Sequence, residues 1–89
     1  MTDVPTNIRK MAHDREFKVT IRIGRSGLSD AMYEELDAQL SSRKVVKVKM
    51  NKGLIEERAS RRTVFEEIAE RVNAILVDAR GNVAIYWRS

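Results

Sequence analysis

The stretch Ile21-Arg22-Ile23-Gly24-Arg25-Ser26-Gly27-Leu28-Ser29-Asp30 decides the fold of this chain, because it joins a strand to a helix through a loop with two glycines. Its two isoleucines flank an arginine, and this alternation is typical of a strand with one buried face. Ser29 suits the N-cap of a helix, and Asp30 suits the positive end of the helix dipole. The stretch therefore predicts a strand–GxxG–helix unit.

The GxxG loop has the chemistry of a phosphate-binding loop. Gly24 and Gly27 carry no Cβ, so the backbone can come close to a bulky anion. The helix start exposes unpaired N–H groups, while Arg25 offers a guanidinium and Ser26 a hydroxyl donor. A GxxG loop clamps the nucleic-acid backbone in KH domains. A strand–helix turn that merely needs two glycines explains the local pattern equally well, so both interpretations stay open.

On the N-terminal side of the loop, the sequence predicts one helix and the remainder of the strand. Residues 5–13 form a short helix in which Ile8, Met11 and Ala12 share a face. In residues 17–23 apolar side chains alternate with polar and basic ones, which predicts a strand with one apolar and one basic face. The alternating apolar residues are Phe17, Val19, Ile21 and Ile23.

After the loop, the pattern predicts a second helix over 30–42 and a second strand over 44–50. Apolar residues recur in the helix at four-residue spacing, which gives it a buried stripe. The strand alternates apolar residues with Lys47 and Lys49, so its second face is basic. The stripe consists of Met32, Leu36 and Leu40.

The remaining sequence predicts a helix and a hairpin. Residues 54–73 are mostly helical, and the periodicity is clearest from Ser60 onward, while 54–59 fit either an extra turn or a loop. Two β segments, 74–79 and 83–87, are joined by a tight turn around Gly81, which predicts an antiparallel hairpin. The predicted order is αβαβαββ, an α/β domain.

The amino-acid composition excludes several classes of function. The chain of 89 residues has no cysteine and one histidine, which excludes disulfide scaffolds and argues against most catalytic and metal constellations. No apolar run approaches the roughly 18–20 residues of a membrane span, and the N-terminus lacks the apolar region of a secretory signal. We therefore expect one cytoplasmic domain that does not bind a membrane. We also expect that it is not an enzyme and holds no metal or cofactor.

Charge is distributed unevenly along the chain. Lysine and arginine number 17 against 13 acidic residues, yet nine of the 13 lie in the predicted helices 30–42 and 54–73. A basic sheet beside acidic helices favours a polyanionic partner, most often nucleic acid. The basic residues of the predicted strands are Lys18, Arg22, Lys44, Lys47 and Lys49, against Asp78 as their one acidic residue.

Five motifs in order resemble the CRM domain, the YhbY-like RNA-binding family. The loop resembles the IGxxGLT signature of that family, and the resemblance covers about residues 5–88. Two departures occur: Val72-Asn73 replaces the usual Thr-Gly, and Trp87 replaces a tyrosine. Asparagine tolerates the left-handed conformation common after a helix, so we expect the fold to survive. The other matches are Ile8–His13 (LRxLAH), Val45–Lys49 (LVKVK), Glu67–Glu70 (EIAEEL), and Gly81 with Ile85–Arg88 (G….LYR).

The resemblance implies a fold similar to the C-terminal domain of bacterial translation initiation factor three. That fold is a four-stranded mixed sheet with packed helices, here preceded by an extra N-terminal helix. Residues 1–89 would form a single CRM-type RNA-binding domain, with residues 1–4 disordered. Stand-alone members of the family are associated with large ribosomal subunit precursors, whereas multi-domain plant members assist intron splicing.

These observations lead to a predicted site and function. We expect a non-catalytic, monomeric protein that binds structured ribosomal RNA, as a large-subunit assembly factor, through its GxxG loop and basic sheet face. Gly24 and Gly27 would admit the phosphate backbone, which Arg25 and Ser26 would contact. Further RNA-binding candidates are Lys18, Arg22, Lys47 and Lys49, with Arg88 a weaker one.

Two side-chain questions stay open from the sequence. Tyr86 and Trp87 alternate, so one would be in the core and the other could stack on bases. Trp87 shares a face with Val83 and Ile85, which favours Trp87 for the core and Tyr86 for stacking. The arginines near the third helix either extend the RNA footprint or balance nearby glutamates; they are Arg58, Arg61 and Arg62.

Two other functions compete with this prediction. An Alba-like DNA- or RNA-binding chromatin protein has a similar small basic α/β fold, although it is dimeric and the matching motifs belong to CRM. A protein-interaction module in RNA processing would dock acidic factors instead. An enzyme is the least favoured class, because no nucleophile–base pair or metal cluster can be assembled.

Overall fold

The computed structural model describes residues 4–24, 27–51, 53 and 58–89. The observed order confirms the predicted αβαβαββ arrangement, with boundaries that mostly differ by one or two residues. Arg25, Ser26 and most of the ambiguous 54–59 stretch lie outside the described residues. The elements are α1 (Thr6–Ala12), β1 (Ile21–Ile23), α2 (Asp30–Arg43), β2 (Val45–Met50), α3 (Arg58–Arg71), β3 (Ile75–Arg80) and β4 (Val83–Trp87).

The four strands form one mixed sheet in the order β1-β2-β4-β3. β1 runs parallel to β2, which requires a crossover, and α2 supplies it. β4 is antiparallel to both β2 and β3, and the β3–β4 connection is the predicted tight hairpin. The mixed sheet implied by the resemblance is therefore confirmed.

The first face of the sheet is covered by α2 and α3. The predicted stripe of α2 is buried, with Leu36 and Leu40 both at 0% exposure. From α3, Phe65 and Ile68 enter the same cluster. The strands contribute every second residue, as their alternation predicts. Those strand residues are Ile21, Ile23, Val46, Val48, Met50, Ala84 and Tyr86.

The second face of the sheet is covered only in part, by α1. A smaller cluster joins Ala12 of α1 to Val45, Ile85 and Trp87 of the strands. Val4 also belongs to this cluster at 9% exposure, although the sequence placed it in a disordered start. The opposite end of the second face carries charged residues instead, so α1 divides this face into an apolar part and a basic part.

Tyr86 does not face outward, which corrects the sequence interpretation. Trp87 lies in the core as predicted, at 8% exposure, but Tyr86 is buried as well, at 0%. The reason is that both faces of β4 are covered at this end, one by α1 and the other by α2 and α3. The Tyr86 hydroxyl donates a hydrogen bond of 2.9 Å to the carbonyl oxygen of Phe65. Burial also raises the pKa of the Tyr86 hydroxyl above its ordinary range.

Two further expectations at the N-terminal side differ from the structure. The predicted strand over 17–23 is regular only at Ile21–Ile23, because Phe17 packs against the α1 cluster rather than beside Ile21 and Ile23. Met11 does not share the buried face of α1 and is 44% exposed. Local alternation therefore placed the strand correctly but overestimated its length.

Local signals at the ends of the helices behave as the sequence predicts. The Ser29 side chain caps α2 by accepting a hydrogen bond of 3.2 Å from the Met32 backbone N–H. Asn73, which stands where the family has glycine, has a φ of 54° after α3. A left-handed residue is a common way for a helix to end, and asparagine tolerates it better than most residues.

Candidate nucleic-acid interface

The GxxG loop lies at the end of the sheet where β1 and β2 both finish. The Asn51 backbone N–H donates to the Ile23 carbonyl at 2.8 Å, which holds the loop entrance against β2. The loop closes on itself through a 2.9 Å hydrogen bond from Gly27 N–H to the Gly24 carbonyl. The α2 N-terminus, capped by Ser29, follows directly. The loop backbone is therefore held at both ends.

The two glycines of the loop differ in backbone conformation. Gly27 has a φ of +69°, a conformation that strains residues with a Cβ, so the turn itself requires glycine there. Gly24 has no positive φ, and a Cβ built on it would meet no atom of the described residues within 4 Å. Among the described residues, neither backbone strain nor packing therefore demands glycine at position 24, and they leave the space beside it open.

A row of three basic residues crosses the second face beside this loop. The register pairs Arg22 of β1 with Lys49 of β2, Lys49 with Val83 of β4, and Val83 with Arg80 of β3. All three cations are exposed. Three interstrand steps place the ends of the row about 14 Å apart. We call Arg22, Lys49 and Arg80 the basic row.

Lys47 lies two residues along β2 from Lys49, on the same face but closer to α1. It is half-buried, and its Nζ donates a hydrogen bond of 3.1 Å to the Phe17 carbonyl oxygen. The same Nζ lies 5.9 Å from the centroid of the Phe17 ring. Lys18, which follows Phe17 in the chain, is exposed. The structure thus brings Lys47 beside the basic row, but with part of its hydrogen-bonding capacity already used.

Arg80 is the member of the basic row that sequence reasoning missed. An irregularity between Leu76 and Asp78 shifts the register of β3 against β4. Without it, strict alternation would put Asp78 and Arg80 on the face of Leu76, under the helices. With it, both residues lie on the second face. No signal in the sequence of a single strand marks such a bulge, because it is defined by the pairing with β4.

Arg88 lies at the other end of the sheet from the loop and is engaged within the protein. Its guanidinium donates to Asp37 Oδ1 at 2.7 Å and to Ser41 Oγ at 3.1 Å, and it also contacts the Val72 carbonyl oxygen. These partners lie in α2 and at the end of α3. The structure therefore separates Arg88 from the other candidate residues and gives it a role in joining the two helices to β4.

The aromatic side chains offer no exposed stacking platform. The chain has five aromatic residues, and the structure describes all of them. Trp87, Tyr86 and Phe65 are buried, while Phe17 and Tyr33 are half-buried. The Tyr33 ring is covered by the Arg71 guanidinium, 4.2 Å from the ring centroid. Base stacking on an aromatic ring, considered for Tyr86, therefore has no support in this fold.

For the arginines of α3, both roles considered from the sequence stay open, namely RNA contact and the balancing of nearby glutamates. Arg62 forms an ion pair of 3.1 Å with Glu66, and the side chain of Arg58 lies outside the described residues. Arg61 and Arg62 line a cavity of about 640 Å³ together with Arg80 and Gly81 of the hairpin. The cavity shows that the start of α3 lies beside the hairpin turn, at the same end of the sheet as the GxxG loop.

Metal-binding and membrane-spanning features are absent from the part of the chain that the structure describes. No three histidine, aspartate or glutamate side chains within it come close enough to hold a metal ion. None of its helices is long and apolar enough to cross a membrane.

Fold and site together define a small α/β domain with a GxxG loop at the edge of a basic sheet surface. The family model that matches the chain is the CRS1/YhbY (CRM) domain, over residues 5–88. The chain therefore belongs to the CRM family, which is an RNA-binding family.

The chain is also similar in fold to a solved structure. The solution structure of hypothetical protein SAV1595 from Staphylococcus aureus, a protein proposed to bind RNA, is similar with a TM-score of 0.75. The two chains share 23% identity over 93% of this chain and 81% of the other. No curated protein matches the chain. At this identity the neighbour establishes the fold alone, which confirms the α/β architecture.

Proposed function

We propose that this protein binds structured ribosomal RNA through its GxxG loop and basic row, as a non-catalytic assembly factor of the large ribosomal subunit. Gly24 and Gly27 admit the phosphate backbone, and Arg25 and Ser26 hydrogen-bond to it. Lys18 and Lys47 add positive charge beside the basic row. The protein acts as a monomer in the cytoplasm.

The observation that carries the proposal is the open space at Gly24. Glycine loses more conformational freedom on folding than any other residue, so a glycine that neither strain nor packing requires calls for another reason. None of the described residues places an atom within 4 Å of the missing Cβ, and Gly24 has no positive φ, which favours a requirement from outside the fold. A close approach of a bulky backbone to the loop is such a requirement.

The position of the basic row supports phosphate as the group that approaches. Arg22 directly precedes Ile23 and the loop, and Lys49 pairs with Arg22 across the sheet. The row therefore continues from the loop across the exposed part of the second face. Phosphate contacts from lysine and arginine supply most of the sequence-independent affinity for nucleic acids. A run of cations leading to an open glycine loop suits a polyanionic backbone.

Membership in the CRM family supports RNA rather than DNA as the partner. The similarity to stand-alone members associated with large-subunit precursors supports ribosomal RNA. With no exposed aromatic ring among the five in the chain, contacts to the backbone and to the shape of folded RNA carry the affinity.

Crosslinking in cells tests this proposal. The protein is crosslinked to RNA by ultraviolet light, and the attached fragments are sequenced for the wild type and for the double variant Arg22→Gln/Lys49→Gln. We expect fragments enriched in large-subunit precursor RNA for the wild type and a strong reduction for the double variant. Fragments without ribosomal enrichment, or equal recovery from both proteins, would contradict the proposal.

A further inference from the structure

A groove on the second face lies between the C-terminal end of α1 and the sheet. It has a volume of about 320 Å³, at the lower end of the range for small-molecule sites. The half-buried Val83 supplies apolar surface above the buried Ala12 and Ile85, while Arg15, Lys47 and Arg80 supply positive charge. An apolar surface beside cations matches the two parts of a nucleotide, a flat base and a phosphate. Two carboxylates also line it, the exposed Asp14 and the half-buried Asp78, and we call this feature the Asp78 groove after the second.

Asp78 differs from every other acidic residue that the structure describes. The others are exposed, with side-chain exposures of 92% for Asp30 and 62% for Asp37, whereas the Asp78 side chain is 28% exposed. It is also the one acidic residue of the strands. A carboxylate does not itself bind phosphate, so a half-buried one on a basic surface calls for another explanation.

The β3 irregularity aims this carboxylate into the groove. Regular pairing would put Asp78 on the face of Leu76, but the register shift places it opposite Ile85. Bulges of this kind occur next to functional sites, where they redirect a side chain. The same shift brings Arg80 to the groove, so one feature of the backbone places both Asp78 and Arg80 there.

The hydrogen-bonding capacity of Asp78 is largely available. Its Oδ2 lies 3.2 Å from the Nε of Arg80, and none of the other described residues hydrogen-bonds or ion-pairs with the carboxylate. An ionised carboxylate has two acceptor oxygens with about four lone-pair sites, and it cannot donate. The groove therefore presents an acceptor that selects hydrogen-bond donors.

We propose that the Asp78 groove holds one unpaired nucleotide of the bound RNA and that Asp78 accepts a hydrogen bond from the exocyclic amino group of its base. This inference rests on the proposed RNA-binding function. The base lies against Val83, and its phosphate is held by Lys47 and Arg80. Cytosine, adenine and guanine carry an exocyclic amino group. Uracil presents carbonyl oxygens there, which a carboxylate repels, so Asp78 disfavours uracil.

Binding of short single-base oligonucleotides tests the inference. The affinities of oligo(C), oligo(A) and oligo(U) of equal length are measured at one salt concentration by fluorescence anisotropy. For the wild type we expect oligo(C) and oligo(A) to bind about tenfold or more tightly than oligo(U), the size of a single hydrogen-bond discrimination. Asp78→Asn supplies an amide donor for the uracil carbonyls, so the C-to-U affinity ratio should fall about fivefold or more.

Glu34→Gln is the matched control, because it removes the same charge from an exposed position on α2. It should leave the C-to-U ratio unchanged. Asp78→Glu is a second variant that keeps the charge but displaces the carboxylate, and it should also lower the ratio. Melting temperatures establish whether each variant is folded. If Asp78→Asn does not fold, the C-to-U ratio of Asp78→Glu tests the inference.

The outcomes separate this inference from the proposed function. If Asp78→Asn changes all oligonucleotide affinities by one common factor, Asp78 merely orients Arg80 and the inference is wrong. Wild-type binding without preference among the bases, or binding to ribosomal RNA but to no oligonucleotide, overturns it as well. If the wild type binds neither ribosomal RNA nor oligonucleotides, the proposed function itself fails.

Discussion

The two faces of the sheet differ in how completely helices cover them. The first face lies under α2 and α3, and its cluster consists of apolar side chains and the hydrogen-bonded Tyr86. Of the helices that the structure describes, the seven-residue α1 alone lies on the second face, where it covers the row of Val45 and Trp87 and leaves the basic row exposed. Charged side chains stay solvated where no helix packs on the sheet. The uncovered end of the second face is therefore the part of the sheet on which charged side chains stay exposed.

The largest expected effect comes from a substitution in the core of the first face. Leu36→Ala removes a side chain at 0% exposure from between α2 and the sheet, and it should lower the free energy of unfolding by about 2–5 kcal/mol. Urea denaturation measures this. Lys49→Gln on the second face is the comparison, with an expected change under about 0.5 kcal/mol. Equal destabilisation by both substitutions would remove the distinction between the faces.

The second effect concerns the loop beside the basic row. Arg25→Ala should weaken binding to ribosomal precursor RNA by about 1.5–3 kcal/mol, roughly ten- to more than a hundredfold, because a charge-assisted hydrogen bond to phosphate is lost. Its melting temperature should stay unchanged. Full affinity together with an unchanged melting temperature would mean that the loop is only a turn.

The third effect tests the burial of Tyr86. Tyr86→Phe keeps the ring but leaves the Phe65 carbonyl without its 2.9 Å hydrogen bond, so stability should fall by roughly 1–3 kcal/mol. RNA affinity of the folded protein should not change, since the hydroxyl lies under the helices. Thermal denaturation and a binding titration measure the two quantities. A loss of affinity with unchanged stability would restore Tyr86 as an RNA contact.

The smallest effect distinguishes two lysines of one strand. Lys49→Gln should lower the magnitude of the salt dependence of RNA binding by somewhat under one unit, the loss of one phosphate contact. Lys47→Gln should lower it less, because Lys47 already donates to the Phe17 carbonyl. Affinities over a range of salt concentrations give both slopes. Identical slopes for the two variants would show that Lys47 leaves Phe17 when RNA binds.

The sequence by itself determined the order of the elements and much of the candidate interface. The spacing of Leu36 and Leu40, the N-cap at Ser29 and the left-handed Asn73 are all local patterns. The hydrophobic periodicity of a strand or helix is apparent within a few residues, so it can be identified from the sequence alone. The basic face of β2 followed from the same alternation.

The tertiary structure decided which of these surfaces stay open. The burial of Tyr86 depends on α2 and α3 covering a face that lies far away in sequence. The positions of Arg80 and Asp78 depend on a register shift against β4, and the engagement of Arg88 depends on α2 and α3 meeting beside it. Each of these is a relation between distant segments, which no local period encodes. The sequence thus determined which side chains each strand carries, and the packing of distant segments determined which of those side chains stay exposed.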